Sequence, residues 1–184
     1  MSRADRAYVF GYGSLVGGRS DLLTHHVVHV AGFRRRWNVA MDNRATLPGY
    51  KYYVDPVTGS RPALFVTFLN VVEDRSSIIN GVLLPTRDRD LDSLDLRERN
   101  YFRLEVTDHV VEDVDSRVWV YIGSEAARRR YETGMTEGTA VVEEDYYNSV
   151  RSRFQGLGEP AFTEFIETTD EPECPRRPLR RVNL

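Results

Sequence analysis

An apolar run that ends on paired glycines, Val9-Phe10-Gly11-Tyr12-Gly13-Ser14-Leu15, constrains this chain more than any other segment. Val9 and Phe10 read as the end of a buried strand. Two glycines one residue apart then let the chain bend sharply with little Cβ obstruction, so that the N–H groups that follow can converge on an anion or a polarised carbonyl. Spacing alone fits a plain structural turn between core strands equally well, and other segments must decide between the two readings.

The chain has 184 residues, enough for one domain with a real core. The division expected is a single domain over residues 1–170 and a proline- and arginine-rich tail over 171–184 that adds little to the core. The net charge of -3 gives no global field for nucleic acid or an anionic membrane, which favours a small solute as the partner. Arg3, Asp5 and Arg6 precede an apolar run too short for a signal peptide, and no apolar stretch reaches membrane-spanning length. The one cysteine, Cys174, has no intramolecular partner, so a reducing cytoplasm is expected.

β-branched and aromatic patterning predicts strands near 7–10, 27–39, 63–71, 78–84, 101–106, 110–114 and 117–122. Thr86, followed by Asp88, Asp90 and Asp92 and by leucines at 91 and 94, predicts one short helix over 87–98 with Thr86 as its N-cap. A longer helix is expected from about Thr139 with Tyr146, Val150, Phe154 and Leu157 as its stripe, stopped by Gly156 and Gly158. Pro160 then opens a further short helix ending at Thr168 and Thr169. Strands followed by helices give an α+β class, and many short strands in a small domain roll into a barrel or sandwich to avoid bare edges.

The glycine turn fails the common fingerprints. A dinucleotide motif needs glycine where Val16 stands, a hydrolase elbow needs glycines where Tyr12 and Val16 stand, and no lysine makes the turn a phosphate loop. His25, His26 and His29 lack the glutamate of a zinc helix and read as surface or core-edge residues, so no metal and no cofactor is expected. The arginines at 34–36 and 176–181 read as solvated or ion-paired charge rather than a nucleic-acid patch, with Arg36 left as a candidate for a substrate carboxylate. In Leu94-Asp95-Leu96-Arg97-Glu98-Arg99-Asn100-Tyr101 the two arginines flank Glu98 by about 100° of helix each, and the residues alone read more readily as a charged helix end with a surface ion pair than as a site.

Taken in order, Tyr12-Gly13-Ser14-Leu15 after a strand and Leu94-Asp95-Leu96-Arg97-Glu98 with Tyr101 opening the next strand resemble the γ-glutamylcyclotransferase-like family. Gly81-Val82-Leu83 and Trp119-Val120-Tyr121 are similar to its strands, so the resemblance covers residues 7–122, with the late helices like an extension of some members. It implies a small closed, mostly antiparallel β-barrel with flanking helices. It also implies a substrate cradle at Val9, Phe10, Gly11, Tyr12, Gly13, Ser14 and Leu15, Glu98 as catalytic acid/base, and Tyr101 as a supporting residue at the mouth. Leu15 directly after Ser14 is similar to the glutathione-directed branch. The activity implied is cyclisation of a γ-glutamyl amide or peptide to 5-oxoproline with release of an amine. The wall holding the departing group is expected in residues 42–62, with Asn43, Arg44, Tyr50, Tyr52 and Tyr53. A homodimer is compatible with the helical end. The competing classes are a non-catalytic barrel that binds an amino-acid-like ligand and, more remotely, a nucleic-acid accessory protein.

Overall fold

One strand organises the molecule. The computed structural model describes residues 6–16 and 26–183. In it, the two strands predicted at 63–71 and 78–84 are a single strand, β4 (Phe65–Arg87), preceded by β1 (Arg6–Gly11), β2 (Val27–Asp42) and β3 (Lys51–Val54). β2 lies antiparallel along most of β4, while the other edge of β4 takes β1 antiparallel and, further along, β7 (Ala140–Glu143) in parallel. β5 (Tyr101–Glu105) and β6 (Arg117–Gly123) extend the sheet beyond β1, and β8 (Arg176–Arg177) extends it beyond β7. The α+β class therefore stands, but the sheet is mixed, because β1–β6, β4–β7 and β7–β8 are parallel.

Closure into a barrel is not what the strands show. The expected strand at 110–114 is absent: a 3-10 turn at Thr107–His109 breaks the chain after β5, and only an isolated bridge, Val30 to Val110, joins that segment to β2. The approach is fastened by side chains instead. His29 lies between two carboxylates, with Nδ1 2.6 Å from Glu112 and Nε2 3.0 Å from Glu164, and both raise its pKa against the opposing effect of burial. His26 is exposed, and His25 lies outside the described residues.

β2 changes register between Ala31 and Phe33, where Gly32 adopts a φ of 86° that an L-residue with a Cβ rarely takes, the signature of a bulge. A second shift falls between Arg36 and Val39. These shifts set which arginine of 34–36 turns inward, and it is Arg35 that is fully buried.

Four α-helices among the described residues complete the fold. α1 (Asp88–Arg97) starts from Arg87 without a side-chain cap, so Thr86 is not its N-cap, and it seats Leu91 among Ala7, Val9 and Tyr121. α2 (Glu125–Thr136), which no apolar stripe announced, is capped by the Ser124 hydroxyl accepting from the Ala127 N–H. The helix expected from Thr139 is first the strand β7 and then α3 (Glu144–Gly156), with Glu143 accepting from the N–H groups of Asp145 and Tyr146. α4 (Glu159–Glu167) stacks Phe165 on Phe154 of α3, ring centroids 4.2 Å apart. No helix among the described residues is long and apolar enough to cross a membrane.

The tail is more than an appendage. Cys174 and Leu179 are buried, and β9 (Arg180–Asn183) pairs with β3 as a separate two-stranded sheet. Pro175 and the prolines around it leave few N–H groups, yet the carbonyl of Pro175 still accepts from Val142, which fixes the segment beside β7.

Gly81 is where β4 passes behind the glycine turn. A Cβ there would lie 2.5 Å from the Gly11 carbonyl oxygen and 2.6 Å from the Phe10 ring. Gly81→Ala should cost about 1–3 kcal/mol through overpacking, read as a lower midpoint in urea unfolding; an unchanged midpoint would mean that β1 and β4 are not held this close.

Candidate functional site

The last residue of β1 leads directly into the turn, and the turn is ordered from beneath. Val16 N–H donates to the Gly13 carbonyl at 3.0 Å, while the N–H groups of Gly13, Ser14 and Leu15 donate to no described acceptor. Tyr12 is held at both ends: its hydroxyl donates to the Tyr121 carbonyl at 2.7 Å, and its own carbonyl accepts from Arg35 Nε at 3.0 Å. A Cβ on Gly13 would meet Leu69 at 3.3 Å, so the turn lies close against β4.

Opposite this turn, α1 ends. Glu98 has left helical geometry, with φ -89° and ψ 49°, although its N–H still caps the Leu94 carbonyl. Its carbonyl accepts from Tyr101 N–H at 2.8 Å, so a tight turn runs from helix into β5. The side chain is thereby aimed by the turn, while Arg97 and Arg99 remain exposed on either side. Glu98 forms no ion pair with a described residue, unlike the surface pairing that its neighbours suggested.

Both features open on one cavity of about 1050 Å³. Phe10, Tyr12, Gly13, Ser14, Leu15, Glu98 and Tyr101 all line it. Val9 and Gly11 do not: Val9 packs in the core with Leu91, and a Cβ on Gly11 would meet Leu15 at 3.3 Å and Val82 at 3.4 Å. Arg36 is placed elsewhere, 54% exposed and 2.9 Å from Asp170. Of the expected wall, Tyr50 and Tyr53 reach the cavity; Asn43 instead donates to the carbonyls of Tyr53 and Pro62, Arg44 pairs with Asp42, and Tyr52 stacks with Arg61.

Several lining residues had no motif to announce them. Tyr146, at the start of α3, hydrogen-bonds Ser14 and the Leu69 backbone. It shares that backbone with Tyr101, the residue expected at the mouth, whose hydroxyl donates to the Leu69 carbonyl at 2.7 Å. Lys51 enters from β3 and lies over the Phe68 ring at 4.3 Å. Glu143 followed by Tyr146 after a β-branched pair was the available signal for α3, whereas Lys51 becomes legible only once β9 is known to pair with β3.

The electrostatics follow from enclosure. Burial pushes the Glu98 carboxyl above its ordinary value, and the positive charges of Lys51 and Arg97 oppose the shift. Burial first, and the Glu98 charge as a smaller contribution, hold the hydroxyls of Tyr12, Tyr50, Tyr101, Tyr121 and Tyr146 above theirs, so these remain neutral donors around one carboxyl group. Such an arrangement can take up and return protons next to a set of unspent N–H donors.

Among solved structures, the uncharacterized protein loc79017 from Homo sapiens is similar at a TM-score of 0.55 and 16% identity, covering 92% of this chain and 90% of that one. A structure titled gamma-glutamyl cyclotransferase follows at 0.51 and 14%, with 92% and 90% covered. YkqA from Bacillus subtilis gives 0.51 and 14%, covering 88% of this chain and 53% of its own. These likenesses carry the fold. No curated protein matches the chain in sequence. Residues 9–146 match the family described as gamma-glutamyl cyclotransferase, AIG2-like, a span from the glycine turn through Glu98 to Tyr146, and the chain belongs to that family.

Proposed function

We propose that this protein is a γ-glutamylcyclotransferase in which Glu98 moves the protons. The observation that carries the reading is the placement of one half-buried carboxyl group, unpaired by any described cation, in the same cavity as three N–H groups with no described acceptor. Family membership adds the reaction class.

A γ-glutamyl amide carries its own nucleophile. Held in a folded conformation, its α-amine attacks the γ-carbonyl carbon and closes a five-membered ring, so no serine or cysteine nucleophile is required. The α-ammonium arrives with three protons and the product lactam nitrogen keeps one; the departing nitrogen goes from one proton to three. Two protons must therefore cross from one nitrogen to the other, and no water is consumed. Glu98, ionised at the start, accepts the first proton and frees the amine to attack. After the ring closes, the carboxyl group relays protons to the departing nitrogen as the old C–N bond breaks. The oxyanion that develops between these steps takes the N–H groups at Gly13, Ser14 and Leu15, a donor set whose individual members typically contribute about 3 kcal/mol to such a transition state. The tyrosine hydroxyls keep the cavity polar without adding charge.

Glu98→Gln conserves size and removes the proton relay, so it should leave the urea midpoint within about 0.5 kcal/mol of wild type and lower 5-oxoproline release by at least a factor of about 1000. Retained turnover in that variant would overturn the mechanism.

The raised pKa of Glu98 has a defined sign in kinetics. The base form is required, so kcat/KM should fall as pH drops through an apparent pKa above the ordinary glutamate value of 4.5. Lys51 pulls that value down, and Lys51→Met should therefore move the acid limb to higher pH; a limb that stays in place would show that Glu98 does not feel the ammonium group.

A further inference from the structure

The wall of the cavity formed by β3 and β9 carries more cationic charge than the tuning of Glu98 by Lys51 accounts for. In their antiparallel ladder Lys51 is opposite Asn183 and Tyr53 is opposite Arg181. Because side chains alternate across a strand, these four residues share a face, and all four line the cavity, while Tyr52 and Val182 between them do not. Two cations thus stand on one face of a four-pair sheet. No described carboxylate lies within ion-pair distance of either, although the charges of Glu98 and Glu143 act on Lys51 from farther off. Lys51 rests against the Phe68 and Tyr50 rings, and Arg181 Nε donates to Asn183 at 2.9 Å, while its outer guanidinium nitrogens hydrogen-bond no described residue.

Placing two cations together on a partly enclosed wall is unfavourable unless an anion joins them. Burial, with Arg181 adding to it and the charges of Glu98 and Glu143 opposing it, pulls the Lys51 ammonium down to about 8, so the wall is still mostly charged at neutral pH. The other cavity arginine nearest the turn is already committed: Arg153 donates to the Val16 carbonyl at 2.6 Å and to Ser149. Glu143, the other buried carboxylate of the lining, spends both oxygens on the N-terminus of α3.

Resting on the cyclotransferase reading, we propose that the β3–β9 wall is the subsite for the departing half of the substrate, and that Lys51 and Arg181 select a departing amine that bears a carboxylate. The substrate class is then a γ-glutamyl amino acid or γ-glutamyl peptide, not a γ-glutamyl derivative of an uncharged amine or a diamine. The glutamyl half stays on the turn, where the N–H groups and Glu98 are, so one cavity holds the reacting half on its β1 side and the departing half on its β3–β9 side. Each cation contributes a charge-assisted hydrogen bond, Lys51 from a partly buried position and Arg181 from an exposed one, which corresponds to about a tenfold preference.

The test compares γ-glutamyl-alanine with γ-glutamyl-alaninamide, which share the glutamyl half and the departing nitrogen and differ in the carboxylate alone. The expected ratio of kcat/KM for acid over amide is about 100-fold in the wild-type protein, cut about tenfold by Lys51→Met and about tenfold by Arg181→Gln, with urea unfolding confirming that both variants are folded. A wild-type ratio near one overturns the proposal. So does a loss shared equally by both substrates, because the anion held would then be the α-carboxylate of the common glutamyl half. Calorimetric binding of the same two compounds to Glu98→Gln separates the proposal from the reading beneath it. If the wild type releases no 5-oxoproline while γ-glutamyl-alanine still binds more tightly than its amide, the cyclotransferase reading fails and the wall stands; if neither compound is preferred in binding, the wall fails whatever the turnover.

Discussion

A fully buried guanidinium holds the site in place. Arg35 donates through Nε to the Tyr12 carbonyl, through Nη1 to Thr168 Oγ1 at 2.8 Å, and through Nη2 to the Asn80 backbone carbonyl and side chain. Its Cζ lies 4.9 Å from the Phe154 ring centroid and 5.0 Å from that of Phe165, beside the stacked pair. One side chain of β2 thereby joins the glycine turn, the central strand, and the ends of α3 and α4. Burial pulls its pKa down to about 9, which leaves it charged at neutral pH. A charge this deep is tolerable because carbonyl oxygens and ring faces replace its water. Removing the group would leave several buried acceptors unsatisfied, so the turn, β4 and α4 stand or fall together.

That arginine also shows where sequence reasoning reached its limit. Strict alternation along 34–36 cannot say which arginine turns inward when a bulge at Gly32 and a second shift after Arg36 change the register. Arg36 was the candidate and Arg35 is the residue that matters, and the difference lies in the pairing with β4, which is not written locally. The glycine turn and Glu98 were legible for the opposite reason: each depends on contiguous residues, a strand ending on glycines and a helix whose acids and leucines are spaced within one segment. The class was legible too, since strand and helix patterns follow from local periodicity. Barrel closure was not, because it turns on whether residues 110–114 pair, and the 3-10 turn before them redirects the chain.

Helix α2 was missed for want of an apolar stripe. Only Ala127 and Gly134 are buried on it, and a helix that buries small residues has almost no hydrophobic period. Ser124 before Glu125 was its one readable cue. The C-terminal segment was misjudged by composition: prolines and arginines suggested a solvated tail, yet Leu179 anchors it and β9 finishes a wall of the cavity. Composition reports what a segment can do alone, and this one acts through a strand more than a hundred residues earlier.

The exit of α1 has a consequence for how the cavity came by its charge. Leu91 fixes the helix against Ala7, Val9 and Tyr121, and the Tyr101 hydroxyl fixes the strand that follows to the Leu69 carbonyl. Between those two anchors the chain reads Arg97-Glu98-Arg99, and Glu98 is the residue at which it leaves helical geometry. Adding or deleting a single residue before Glu98 would rotate an arginine toward the position that the carboxylate now holds. The charge at this point of the cavity therefore depends on the count of residues between Leu91 and Tyr101, and a change of one residue would bring an arginine to where a carboxylate now stands.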